Sequence, residues 1–414
     1  MGLKPNVKEK QQTFWEEMKK FTVTRTVRIP DLVRIRRYQR MPELGPQVLF
    51  FSGGTALTAI SRELKAFTHN SIHLVTPFDS GGSSAKLRDA FDMPSIGDLR
   101  SRLMALADET IHGHPGIFRL FTYRLPSDKR QDVLVKTLEA MVNGKDRRVA
   151  DIKNPMRRLI CNHLGFFRDA MPKRFDLRGA SIGNLILAGG YLNNHKKLDP
   201  IVFLFSRLVG VHGTVRTVVN NNLHLAAELD DGSVIVGQHR MTGKEAAPLA
   251  SPIKRFFLSS SGDKAVATES MVPKKKRKLI TRADLICFPP GSFYSSVIAN
   301  LLPIGVGGAV AANDAPKAYL PSLANDPEQI GMTLVDSVRV LLATLRNDAG
   351  ADCPADRLLN VVLMDTKNIS YGADTTRRAI RKLGVRTINT PLVSPKSAPY
   401  YDPQLVAAAL LSLT

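Results

Sequence analysis

Val48-Leu-Phe-Phe-Ser-Gly-Gly-Thr-Ala-Leu-Thr58 decides the fold. Val48 to Phe51 is a short, continuously apolar run, the pattern of a strand buried on both faces of a parallel sheet, and Ser52-Gly53-Gly54 ends it. From Thr55 to Phe67 the apolar residues Leu57, Ile60 and Leu64 recur on one helical face. The order of strand, glycine turn and helix then repeats. Ile72-His-Leu-Val-Thr76 leads into Pro77-Phe-Asp-Ser-Gly-Gly-Ser-Ser84, and Asp284-Leu-Ile-Cys-Phe288 leads into Pro289-Pro-Gly-Ser292 and a helical pattern from Tyr294 to Leu301. Val361-Val-Leu-Met364 and the terminal Leu405 to Leu413 extend the alternation. The expected class is α/β, with a doubly wound, mostly parallel sheet.

Working outward, residues 1–46 mix charged and β-branched side chains and read as a basic N-terminal extension. Residues 47–414 read as one α/β domain. Within it, residues 111–178 read as a helical, basic insertion, with Leu134, Leu138, Met141 and Val142 on one face and Ile160, Leu164 and Phe167 on another. Leu223 to Gln238 has the look of a hairpin around Asp230-Asp-Gly232.

The chain of 414 residues is 43% hydrophobic and 23% charged, ordinary values for a packed protein and far from those of a disordered one. The longest nearly apolar runs, Leu301 to Ala312 and Leu405 to Leu413, fall short of the ~20 residues that cross a bilayer. With no secretory pattern at the N-terminus, a soluble, cytoplasmic protein is expected. Cys161, Cys287 and Cys353 are widely spaced and suggest neither a disulfide framework nor a zinc cage. The net charge of +21 is the anomaly. It invites nucleic acid or an acidic protein as a partner, although no nucleic-acid fold signature accompanies it. The run Pro273-Lys-Lys-Lys-Arg-Lys278 is read as a solvated loop.

In an open parallel sheet, ligands sit beyond the carboxyl ends of the strands, where helix N-termini present free N–H groups and partial positive charge. Three glycine-rich loops have that location: Gly53, Gly54 and Thr55; Gly81, Gly82, Ser83 and Ser84; and Gly291 with Ser292. A side chain at these glycines would hold a phosphate away from the backbone. None of the three fits the Walker or Gly-x-Gly-x-x-Gly pattern. The expectation from these loops is a cleft that binds phosphate groups. Asp98 and Arg100 are either substrate contacts or a structural ion pair at a helix start. His112-Gly-His114 has no third metal ligand at suitable spacing.

Phe51-Ser-Gly-Gly-Thr-Ala-Leu-Thr58, Thr76-Pro-Phe-Asp-Ser-Gly-Gly-Ser-Ser84, Gly97-Asp-Leu-Arg100, Ser181-Ile-Gly-Asn184, Leu223-His-Leu225 and Pro290-Gly-Ser-Phe-Tyr-Ser-Ser296 resemble, in order, the blocks of the 2-phospho-L-lactate transferase (CofD-like) and gluconeogenesis-factor (YvcK-like) family. The resemblance covers roughly residues 47–110 and 180–330. It implies a Rossmann-like fold and a nucleotide cleft lined by Gly53, Gly54, Thr55, Asn184, Gly291 and Ser292. The transferase branch moves a phospholactyl group from a guanosine-linked donor to a deazaflavin with magnesium; the other branch looks like a regulatory binder of UDP-sugars, and the Gly-Gly-Ser-Ser loop is closer to it. Adjacent aspartates usual in the family are here Asp79-Ser80 and Asn221-Asn222. Asp79 is then the one candidate for catalysis and for holding magnesium, with help from substrate phosphates. Asn222 and His224 lie in a matching block and are candidate substrate contacts, His224 being equally readable as a core histidine. Three functions follow as expectations: a regulatory nucleotide or nucleotide-sugar binder, a magnesium-dependent phosphoester transferase, or an RNA- or acidic-partner-binding protein on the same fold. A homodimer is also expected.

Overall fold

A computed structural model describes residues 26–110, 114–243, 246–371 and 374–414. The strands are β1 (Val48–Ser52), β2 (Ile72–Val75), β3 (Thr214–Thr217), β4 (His224–Leu229), β5 (Val234–Val236), β6 (Ile253–Ser259), β7 (Leu285–Phe288), β8 (Lys317–Tyr319), β9 (Val361–Met364) and β10 (Arg386–Asn389). Seven of them form one sheet in the order β10-β9-β8-β7-β1-β2-β3. Its pairings are parallel, with Leu49 opposite Ile72 and Val48 opposite Leu285. The sheet is Rossmann-like, as the alternation of strands and helices predicts.

The apolar runs are central strands because both of their faces are covered. Every residue of β1, β2, β7 and β9 is buried. Side chains alternate across the sheet: Leu49, Phe51, Ile286 and Phe288 enter one core, while Val48, Phe50, Leu285 and Cys287 enter the other. Phe51 and Phe288 stack across the strand pair at 5.7 Å between ring centroids.

The sheet's order places the site. From β1 the chain moves outward through β2 and β3, then returns to β7 on the other side of β1 and continues outward to β10. The reversal leaves a crevice beyond the carboxyl ends of β1 and β7, where open α/β sheets bind ligands.

Between β2 and β3 the helices run from Gly82–Phe91 to Leu198–Leu208, extending on both sides of residues 111–178 and sharing one core. The helices Met156–Ala170 and Ile182–Asn193 touch backbone to backbone at Gly189, where a Cβ would overlap the His163 carbonyl oxygen. β4, β5 and β6 make a separate antiparallel sheet, with the β4–β5 hairpin turning through Asp230-Asp231-Gly232.

Two segments differ from their sequence reading or add to it. Lys274 to Lys278 is not a solvated loop; it opens the helix Lys274–Arg282. Helical spacing turns Lys276 inward, where it is 2% exposed and donates to Asn220 Oδ1 at 2.8 Å, with Asp199 at 3.7 Å. Burial pulls its pKa down to about 8. The described part of residues 1–46 contains the helix Leu32–Arg40, capped by Asp31, whose own N–H donates to Ser412 Oγ at 2.8 Å. No described helix is long and apolar enough to cross a membrane.

Candidate functional site

A cleft of about 780 Å³ opens at the topological reversal. All three glycine loops reach it. Gly53, Gly54, Thr55, Asp79, Gly81, Gly82, Ser83, Ser84, Asp98, Arg100, Asn184, Gly291 and Ser292 line its wall. Asn222 and His224 are not among the lining residues.

The first loop is organised from below by Arg102, a wholly buried side chain on the helix Gly97–Leu106. Its Nη2 donates to the carbonyls of Gly53 and Gly54, both at 3.0 Å, and its Nη1 to Ser61 Oγ at 2.7 Å. In a trans peptide the N–H points opposite to the C=O. Holding these two carbonyls on the buried side therefore turns the N–H groups of Gly54 and Thr55 to the cleft side, a concavity of donors suited to an anion. Burial lowers the Arg102 pKa to about 10, opposed by nearby Asp98, so the guanidinium stays charged at neutral pH. Gly54 passes so close to Asp98 that a Cβ there would overlap the carboxylate, and a Cβ on Gly53 would overlap Ser296 Oγ.

At the second loop Gly82 adopts φ +49° and opens the helix Gly82–Phe91. Asp79 Oδ1 accepts from the Gly81 N–H at 3.1 Å, and Ser80 Oγ meets His239 Nδ1 at 2.8 Å. Asn184, 1% exposed at the start of the helix Ile182–Asn193, donates from Nδ2 to Ser83 Oγ at 3.1 Å. Its Oδ1 is buried without a hydrogen-bond partner, a cost that a ligand donor would remove. Behind the loop, buried Arg88 donates to the carbonyls of Phe78 and Asp79. Asn222 and His224 belong to this support: Asn222 Oδ1 accepts from Arg88 Nη2 at 2.9 Å, and the His224 ring lies 3.3 Å from the same atom. Burial, then the Arg88 charge, lowers the His224 pKa to about 4, so the ring is neutral at pH 7.

The third loop departs from the expectation that it repeats the chemistry of the other two. The turn that follows it, Phe293–Ile298, is π-helical, a form frequent at functional sites. Its end is already occupied by the protein's own carboxylates: Phe293 N–H donates to Asp326 Oδ2 at 2.6 Å and Ser295 N–H to Glu328 Oε2 at 2.8 Å. Burial, reinforced by Asp326, pushes the Glu328 pKa up to about 7. Gly291 and Ser292 thus line the cleft, but the helix end behind them is already neutralised by the protein's own carboxyl groups.

Positive charge enters elsewhere. Arg100 lies on the wall with Arg124, which sequence reasoning missed. Burial, and after it the like charge of Arg124, lowers the Arg100 pKa to about 10, with Asp98 opposing, so Arg100 stays charged at neutral pH. Arg100 Nη1 donates to the Phe121 carbonyl at 3.3 Å, and its buried Nε has no hydrogen-bond partner. Arg124 is brought in by the fold rather than by any local motif. Arg102 did leave a signal, a cation set among Leu99, Leu103 and Leu106 on a buried helix face.

The described residues hold no group of three or more His, Cys, Asp or Glu side chains that could ligate a metal. The carboxylates on the wall are Asp79 and Asp98. They do not make a metal centre by themselves; they suit only an ion carried largely by a ligand's phosphates. Of the His112-Gly-His114 pair, His112 lies outside the described residues.

The model of the family described as 2-phospho-L-lactate transferase CofD matches residues 48–393. The chain belongs to the CofD family. This CofD-family chain is 27% identical over 351 residues to a gluconeogenesis factor from Halalkalibacterium halodurans, covering 83% of this chain and 88% of that protein. It is 29% identical over 298 residues to the gluconeogenesis factor of Bacillus subtilis, covering 72% and 74%. A putative gluconeogenesis factor from Thermoanaerobacterium thermosulfurigenes is 30% identical over 289 residues, with 69% and 71% covered. The crystal structure of a UPF0052-family protein from Bacillus halodurans shares the CofD-family fold, with a TM-score of 0.64 and 23% identity over 89% of this chain and 99% of that one.

Proposed function

We infer that this chain binds a nucleoside diphosphate or nucleotide-sugar in the cleft and acts as a regulatory protein of the gluconeogenesis-factor type. The observation that carries this reading is the grip of Arg102 on the Gly53 and Gly54 carbonyls, which turns two amides toward the cleft beside Arg100 and Arg124. The phosphates go to that side, with the amides and hydroxyls of Gly82 to Ser84. The nucleoside goes to the side of Pro290, Gly291, Ser292, Ala324 and Tyr400, because the helix end there is neutralised by Asp326 and Glu328.

Titration calorimetry with UDP, GDP and UDP-sugars, with and without magnesium, tests the reading. Binding is expected, with Arg124→Ala weakening a diphosphate by roughly 10- to 100-fold, the scale of a charge-assisted hydrogen bond. Absence of binding by every nucleotide overturns it.

The second reading, transfer of a phosphorus-containing group, is favoured by Asp79 standing on the cleft wall. In it magnesium would be shared between Asp79 and the ligand's phosphates. It predicts turnover of a nucleotide-linked donor that Asp79→Ala abolishes while nucleotide binding survives. Ser80 counts against it: the position that usually holds a second family carboxylate is tied instead to His239.

A further inference from the structure

Residues 114–178 carry fifteen Lys and Arg against seven Asp and Glu. Five of the seven acids are engaged by an arginine one to four residues away: Asp132 by Arg130, Asp146 by Arg148, Asp151 by Arg147, Asp169 by Arg168 and Asp176 by Arg178. Arg119, Lys129, Lys173 and Arg174 have no acidic partner among the described residues.

These cations border two depressions apart from the nucleotide cleft. One, of about 590 Å³, is lined by Lys129, Arg130, Lys173, Arg174 and Arg178 with two of the paired acids. Gln131 makes it a built feature, its Nε2 donating to the Phe175 carbonyl at 2.7 Å and its Oε1 accepting from the Leu177 N–H at 3.0 Å. The other, of about 250 Å³, is lined by Arg119, Arg147 and Arg148 with Gly116 and Asp151. Contacts connect the two. The Arg148 guanidinium lies 4.0 Å from the centre of the Tyr123 ring. The next residue, Arg124, donates to the Gly179 carbonyl at 3.2 Å, beside Arg178. The resulting line of cations crosses the edge of the nucleotide cleft at Arg124.

We propose that this line is a binding track for the phosphodiester backbone of a single-stranded nucleic acid. An acidic peptide fits less well, since tight peptide recognition relies on apolar anchors in pockets. The one apolar side chain on the larger depression, Phe175, is 6% exposed. Backbone binding needs no such anchor; phosphate contacts and counterion release supply the affinity. The proposal goes beyond the nucleotide reading and stands without it.

Fluorescence anisotropy of a labelled oligouridylate of about 20 nucleotides, over roughly 50 to 300 mM salt, is the test. Contacts to five to seven phosphates predict a slope of about −3.5 to −5 in log K against log salt, at about 0.7 per phosphate of a single strand. The double variants Lys173→Ala/Arg174→Ala and Arg119→Ala/Arg147→Ala are each expected to make that slope shallower by about 1.4. All four residues lie off the cleft wall, so calorimetry with UDP or GDP should be unchanged in both variants, and thermal denaturation reports their folding. No binding at about 50 mM salt, or slopes unaltered in both variants, overturns the track. Tighter binding of a polyglutamate peptide of equal charge, lost in the same variants, overturns the nucleic-acid assignment in favour of an acidic partner.

Discussion

Arg102 decides the local chemistry of the site although none of it reaches solvent. A buried cation is costly unless its donors are used, and here the two Nη atoms hold two loop carbonyls and a serine hydroxyl while the buried Nε has no partner. Arg102→Ala removes the donors that hold the Gly53 and Gly54 carbonyls, leaving Gly54 only a long bond from Thr58 Oγ1 at 3.4 Å, and is expected to cost roughly 2 to 5 kcal/mol of stability. Denaturant unfolding checks this, and a wild-type midpoint contradicts it. Glu328 has an opposite lesson. Its folded-state pKa is raised from 4.5 to about 7, so the native state holds a proton that the unfolded chain has released. The associated stability is complete below pH 4.5 and is lost as pH rises through 7. Glu328→Gln should remove that fall, which thermal unfolding of both proteins between pH 4.5 and 8 would show; parallel curves would contradict it. Asp79 and the three glycine loops were legible as residues. The roles of Asn222 and His224 were not, because their support of Arg88 joins positions more than 130 residues apart.

At the level of elements, legibility followed burial. β1, β2, β7 and β9 are covered on both faces and read directly as apolar runs. β3 and β10 are the edges of the sheet, their sequences Thr-Val-Arg-Thr and Arg-Thr-Ile-Asn mixed and partly exposed. β8 is three residues long and begins at Lys317, a buried lysine whose ammonium donates to the Asn313 carbonyl. The helix Ile182–Asn193 is almost wholly buried and depends on a glycine surface to approach its neighbour. Gly189→Ala should destabilise the protein by about 1 to 3 kcal/mol, the usual cost of overpacking, with chemical denaturation as the readout. Unchanged stability would mean that the two helices separate freely at His163.

For the whole molecule, the order of the strands makes a site out of dispersed motifs. A Gly-Gly turn is ordinary geometry on its own. Gly53, Gly82 and Gly291 become one cleft because β2 and β7 flank β1. The sequence signalled the three loops but not the asymmetry between them, since the carboxylates that neutralise the third come from Asp326 and Glu328, each 33 residues along the chain from the amide it meets. Part of the net charge of +21 likewise acquires a location, a cationic line along the helical layer that meets the cleft at Arg124. The most direct measurement is a crystal structure of the chain with a bound nucleoside diphosphate. The account predicts phosphate oxygens within about 2.7 to 3.2 Å of the Gly54 and Thr55 nitrogens, close to Arg124, with the nucleoside toward Ser292 and Tyr400. Phosphates seated instead on the helix end at Phe293, displacing Asp326 and Glu328, would contradict it.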